Sequence, residues 1–244
     1  MAHVQIHDDT IDLQSPVLVE GLPGVGLVGK LATDHLVEHL SMTHYGSCFC
    51  DGLPDVAVYQ EDSGAVQPPV RIYAAPDHDL LALQSDVPVS PSEAAEFATC
   101  LTGWLAEQNA LPLYLSGLPT EKDGRPKLHG ISTGDADTLL DDHDIGTPRQ
   151  GGLVSGPTGA LLHQAYRSDL DSLGLVVQSN RQFPDPEAAR VLLVDAIQPI
   201  AGVDTPTDSL VEQAEEVADA RQQLAEQMSQ ATEESSQAQP LGFQ

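Results

Sequence analysis

The stretch Gly21-Leu-Pro-Gly-Val-Gly-Leu-Val-Gly-Lys30 carries two phosphate-binding patterns at once. Gly24, Gly26 and Gly29 form GxGxxG, a turn that lets backbone approach a pyrophosphate at a helix N-terminus. Gly24 through Lys30 form GxxxxGK, in which backbone N–H groups cradle phosphates and the lysine reaches their outer oxygens. Each pattern lacks a part. Leu31 stands where a Ser or Thr would reach magnesium, and Pro23 interrupts the turn. Asp51 falls near the place of a ribose-binding acid, but the strand before it leads to more strands rather than to another βαβ unit. The favoured reading is structural: Gly21, Pro23, Gly24, Gly26 and Gly29 make a strand-to-helix corner. Glycines there permit positive φ, and Gly26, Gly29 and Ala32 are small because backbones pack closely. Gly156 and Gly159, in Ser155-Gly-Pro-Thr-Gly159, make a second turn of the same kind.

His35-Leu-Val-Glu-His39 matches HxxEH, the inverted zinc-peptidase motif. Both histidines share a helical face with Val28, Ala32 and Leu36, yet nothing in the sequence marks a third ligand. Two half-buried histidines satisfied by backbone or water are the preferred reading. Ser155 and Ser116 lack the GxSxG frame of a nucleophile elbow. Asp86 and Asp77-His78-Asp79 follow strands, where α/β sites lie, but suit solvated turns equally well. Cys48, Cys50 and Cys100 are too few for a disulfide framework or zinc ribbon and read as buried free thiols. No catalytic residue, metal or cofactor is assigned.

The elements that must position these residues follow from hydropathy and punctuation. Val17–Glu20 is a strand entering the glycine corner, and a helix follows over Gly26–Leu40. Strand-like runs occupy Tyr45–Cys50, Val56–Gln60, Val70–Ala75 and Leu80–Gln84. Ser90-Pro-Ser-Glu93 is a capping box that opens a helix reaching Gln108. Pro112–Leu118 is a buried strand; residues 120–150 read as loop with a short helix near Asp135–Asp142; Leu173–Gln178 is the last clear strand. Asp185-Pro186 and Thr205-Pro206 open two further helices. Alternating strands and helices, with helix-free strands between Tyr45 and Gln84, predict a three-layer α/β/α sandwich on a mixed sheet. An amphipathic helix spans Asp208–Met228, with Leu210, Ala214, Val217, Leu224 and Met228 forming a seam. The expected division is a core at 1–204, a C-terminal helix at 205–230 and a mobile tail at 231–244.

Charge restricts the partners. Against 37 acidic residues stand 10 basic ones, a formal net charge of −27. A basic face for nucleic acid or an anionic membrane cannot be built from this inventory. The acids are scattered in ones and twos, as on a surface adapted to high salt, and a haloarchaeal origin is expected. No apolar leader opens the chain, which reads as cytoplasmic.

"EGLPGVGLVGKLATDHL", then "SGPTGALL", then the long acidic C-terminal helix resemble the proteasome assembly chaperone family in its archaeal branch, over Val17 to about Met228. The resemblance implies an α/β/α sandwich related to phosphorylase folds, a glycine loop that serves as scaffold, and no cofactor. It also implies self-association into a homo-oligomer and docking on proteasome α-subunits. Related chains dock through a tail ending in a hydrophobic residue, a tyrosine and any last residue. Here Gly242, Phe243 and Gln244 end the chain, with Leu241 one place early, so Leu241, Phe243 and Gln244 are the expected partner-binding residues. A phosphorylase- or hydrolase-like enzyme using the glycine loop as an anion site is the first alternative. A zinc hydrolase at His35 and His39 is the second.

Overall fold

The computed structural model describes residues 3–51, 53–59, 64–120, 122 and 124–217. The strands are β1 (His3–Ile6), β2 (Val17–Gly21), β3 (Thr43–Phe49), β4 (Val58–Tyr59), β5 (Val66–Gln67), β6 (Val70–Ala75), β7 (Leu80–Ser85), β8 (Leu111–Pro119), β9 (Leu128–Thr133) and β10 (Ser172–Ser179). The helices are α1 (Val28–His39), α2 (Ala94–Glu107), α3 (Asp137–Asp142), α4 (Gly156–Arg167), α5 (Pro186–Leu192) and α6 (Gln198–Ala201), with residues 208–217 also helical.

Eight strands form one mixed sheet in the order β1-β3-β6-β7-β2-β8-β10-β9, and β4 pairs with β5 as a separate ribbon. The centre is parallel: β2 pairs in parallel with β7 and β8, and β8 with β10. On the flanks, β6 runs antiparallel to β7, β3 to β6, β1 to β3, and β9 to β10. Strand periodicity divides the core into two layers. Val19, Leu80, Ala82, Leu113 and Leu115 face α1, α3 and α5; Leu18, Leu81, Leu83 and Tyr114 face α2 and α4. The expected three-layer sandwich on a mixed sheet is the fold found.

Several local readings change. The capping box does not form: residues 91–93 make a turn, Glu93 N–H donating to Ser90 O at 3.1 Å, and α2 starts only at Ala94. The Ser90 hydroxyl is engaged instead by that of Ser92, at 2.8 Å. Within the supposed loop 120–150 lies β9, whose Leu128 and Ile131 are separated by His129 and Gly130 and make no apolar run, and which pairing with β10 creates. A Cβ on Gly130 would meet the Leu140 side chain, which would have to shift. β1 was also hidden, its exposure alternating on a half-covered edge. The thiols are not all free: Cys50 and Cys100 form a disulfide across 50 positions, leaving Cys48 as a buried thiol. Cys50, just past the end of β3, and Cys100, midway along α2, have Cα atoms 5.9 Å apart, a proximity that spacing cannot reveal.

Helix α5 runs without a break through a π turn at Leu193–Ile197 into α6. Pro199 lacks an N–H and would crowd the carbonyl four residues earlier, and the wider turn just before it relieves that. Thr205 does not cap the next helix. It is buried, and Gln198 Nε2 donates to its carbonyl at 2.8 Å and to its hydroxyl at 2.9 Å. Leu210, 2% exposed, seats the following helix on the α1 layer. The part of the seam beyond Val217, and the tail residues Leu241, Phe243 and Gln244, lie outside the described residues.

Candidate functional site

The glycine corner sits at the carboxyl ends of β2, β8 and β10, where α/β folds place their sites. From Gly21 the chain passes Leu22-Pro-Gly24, makes a tight 3₁₀ turn over Val25–Leu27, and enters α1. Gly26 has φ 67°, and Leu27 follows at φ 51°, an unusual conformation for leucine. A side chain on Gly26 would strike the Ser179 hydroxyl, and one on Gly29 would sit 3.1 Å from the Glu20 carbonyl. Gly117 of β8 is tight for a related reason: its Cβ would meet the Val25 carbonyl. The loop therefore lies flush on the ends of β8 and β10. Gly24 departs from this pattern: its φ is −143°, and a Cβ there would have no neighbour within 4 Å. At the second turn, Gly156 has φ 70°, and a Cβ on Gly159 would collide with the Val154 carbonyl.

Two carboxylates are held close to the corner by backbone N–H groups. Glu20, the penultimate residue of β2, is fully buried. Its Oε1 accepts from Leu22 N–H at 2.7 Å and its Oε2 from Leu115 N–H at 3.0 Å, with the Thr158 hydroxyl at 3.5 Å. Burial raises its pKa to about 7 against these hydrogen bonds, which lower it. Asp185, the N-cap of α5, accepts from Asn180 N–H at 2.7 Å and Ala188 N–H at 3.2 Å, and Lys122 Nζ reaches both its oxygens at 2.6 and 2.7 Å. Its own N–H donates to Gly26 O at 2.8 Å. The sequence shows Asp185 as a helix cap but gives no sign that it clamps the glycine loop, since the two stand 159 positions apart (185 − 26).

Lys30, the lysine of the GxxxxGK pattern, turns away from the loop. It pairs with Asp34 at 3.0 Å and Asp86 at 3.3 Å. Asp86 also accepts from the buried Arg71 at 2.6 Å, and Arg71 donates to Gln84 Oε1 at 2.8 Å. Burial would raise the Asp86 pKa, but the Arg71 hydrogen bond and charge, with Lys30, hold it below the usual carboxylate value. A cavity of about 280 Å³ separates the two glycine turns, lined by Leu22, Pro23, Gly29, Gly117, Ser155 and Thr158.

The other candidates are dispersed. His35 and His39 stack, ring centroids 3.9 Å apart, and His39 Nδ1 is bound to the His35 carbonyl at 3.0 Å. His35 is buried; burial first, then the His39 charge, lower its pKa, against the Pro206 backbone, which raises it. Among the described residues no three His, Cys, Asp or Glu side chains converge to hold a metal ion. Asp77-His78-Asp79 lies at the opposite end of the sheet from the glycine corner, because β6 runs antiparallel. Asp79 there fastens the approach to β2, accepting from Gln14 N–H and Ser15 N–H, both at 2.9 Å. Among the described residues no helix is long and apolar enough to cross a membrane.

Comparison with known proteins agrees with this architecture. The chain is similar to the crystal structure of Pyrococcus furiosus PbaA, described as an archaeal homolog of proteasome-assembly chaperone: 25% identity, 96% of this chain and 95% of that one covered, TM-score 0.77. It shares its fold with P. furiosus PbaB, described as an archaeal proteasome activator, at 22% identity, coverage 92% and 98%, and TM-score 0.77. An uncharacterized protein of Methanocaldococcus jannaschii is 26% identical over 216 residues, 88% of this chain and 87% of that one. The PAC2 family profile matches residues 18–226, and the chain belongs to the PAC2 family.

Proposed function

We propose that this chain is a non-enzymatic proteasome assembly chaperone or adaptor that self-associates and docks on proteasome α-subunits. The observation that carries the reading is the likeness to PbaA along nearly the whole of both chains. The glycine corner fits a scaffold role, since the loop packs on β8 and β10, the Glu20 and Asp185 carboxylates lie close to it, and Lys30 is engaged elsewhere. An anion brought against two carboxylates meets repulsion that no free cation among the described residues of the corner offsets. In this reading residues 1–204 are the folded body, 205–230 a helix for self-association or display, and 231–244 the docking tail, with Leu241, Phe243 and the Gln244 carboxylate as contact groups. A terminal carboxylate beside an aromatic side chain is a recognised peptide-capture chemistry. The net charge of −27 suits a cytoplasm of high salt, where screening relieves self-repulsion.

The test is a pull-down of purified α-subunits in molar salt by the full chain and by a chain ending at Gln239. Retention by the full chain and loss on truncation is the expected result. Retention by both would move docking to the folded body, and retention by neither would remove the α-subunit reading.

A further inference from the structure

On the far edge of the sheet from β1, strand β9 and residues 143–150 enclose a groove of about 1120 Å³. Its charged lining is opposite in sign to the rest of the protein: Arg125, Lys127 and Arg149, with His129 and His143, against Asp144 and Asp195. We propose that this groove docks a short peptide segment of a partner protein that carries carboxylates between apolar side chains.

The inventory of ion pairs points to it first. Nine of the ten Lys and Arg lie among the described residues, and four of them, Lys127, Arg149, Arg167 and Arg181, have no ion pair there; two of those four line this one groove. Lys30, Arg71, Lys122, Arg125 and Arg190 each have a carboxylate partner within 3.3 Å. Lys127 and Arg149 have no ion pair among the described residues, and both are exposed on the groove. Their charge is available to a ligand, whereas Arg125 is held by Asp195 at 2.7 Å.

The walls identify the kind of ligand. Leu118, Pro126, Leu128, Ile145 and Pro148 share the lining with the cations, and Leu118 is 44% exposed. That combination suits a chain of alternating apolar and acidic side chains better than an inorganic anion, which gains nothing from leucine and proline. The volume lies above the roughly 300–1,000 Å³ of small-molecule pockets. Among the described residues strand β9 has a strand neighbour on one side only. On its other side one backbone bond, Gly130 N–H to Gly146 O at 3.0 Å, crosses to the 143–150 segment among the described residues. An extended peptide can lie along the groove between β9 and this segment and set alternate side chains against its walls. A long polyanion is disfavoured, because its repulsion from a surface of net charge −27 grows with every charge it brings.

The groove is independent of the tail and of the proteasome reading. The probe is a fluorescein-labelled nonapeptide of alternating Glu and Leu, titrated into the full chain by anisotropy at the lowest salt that preserves its circular dichroism. An alternating Lys and Leu peptide serves as control. The expected result is saturable binding of the acidic peptide, weakened at least tenfold in K127E/R149E and unchanged in R167E, whose cation is also exposed and unpaired among the described residues but lies away from the groove. Equal binding of the basic peptide, absence of binding, or equal loss in R167E would overturn the proposal. Displacement by tripolyphosphate as effectively as by unlabelled peptide would also overturn it, making the groove a small-anion site.

Discussion

The Asp185 N–H donates to the Gly26 carbonyl at 2.8 Å, tying the first residue of the α5 cap to the tightest point of the glycine loop. The same aspartate's carboxylate is grasped by Lys122, at 21% side-chain exposure, and by two backbone N–H groups. The corner is thereby a junction of β2, β8, β10, α1 and α5, and its behaviour under substitution separates a packed scaffold from an open ligand loop.

Gly26→Ala is expected to destabilise the fold by about 2–4 kcal/mol, combining the left-handed backbone penalty with overpacking against Ser179. Gly24→Ala, where φ is −143° and the space is open, should stay within about 0.5 kcal/mol of the parent. Urea denaturation of the two variants in one buffer measures the contrast. Equal effects would mean that the loop is not packed on β8 and β10.

Glu20 supplies a pH signature. Its folded pKa, about 7, is above the ordinary 4.5, so the folded state holds the proton more tightly than the unfolded chain. Its contribution to stability is complete below pH 4.5 and is lost as pH rises through about 7. In Glu20→Gln that slope disappears, so the stability of the parent relative to the variant should fall between those limits. Gln also turns an NH₂ toward either Leu22 N–H or Leu115 N–H, an unmade bond that costs about 1–3 kcal/mol at low pH. Denaturation midpoints from pH 4.5 to 8 for both proteins give the two effects separately.

The Cys50–Cys100 disulfide closes a loop of 50 positions, for which the chain-entropy relation gives a stabilisation of about 4 kcal/mol. Cys50→Ser and Cys100→Ser should lower stability by similar amounts, and thiol titration of the native protein should find Cys48 unreactive. That thiol is buried, and burial pushes its pKa up to about 12. Two reactive thiols in the native, unreduced protein would contradict the pairing.

Arg71, 1% exposed, donates to Tyr73, Pro68, Gln84 and Asp86 from one guanidinium. Arg71→Lys keeps the charge but cannot make the fork, and a loss of about 2–4 kcal/mol is expected from the groups left unpaired. Thermal unfolding of the variant checks it; a shift under about 1 kcal/mol would show that water replaces the fork.

Much of the parallel centre was legible because β2, β7, β8 and β10 are apolar runs that need burial on both faces, and that need fixes their class before any partner is known. The Asp185-Pro186 start was legible for a local reason: the carboxylate meets Ala188 N–H three residues on. Ser90-Pro-Ser-Glu93 carries an equally good local signal and fails, because the chain there is still turning away from β7 when the cap would have to form. Strand β9 and the Cys50–Cys100 pair gave no signal, since each exists only through a segment distant in sequence.

Composition and motif order by themselves determined the sandwich, the strongly negative net charge, and the place of the glycine corner between strand and helix. All of these depend on local spacing or on summed charge, which folding does not alter. The tertiary structure decided what the corner encloses. It turned Lys30 toward Asp34 and Asp86, buried the Glu20 carboxylate under the loop, and brought Asp185 to Gly26. It also gathered Lys127 and Arg149 on one groove. Those outcomes rest on contacts between residues far apart in the chain, and a one-dimensional pattern holds no record of which distant carboxylate or cation will share the space.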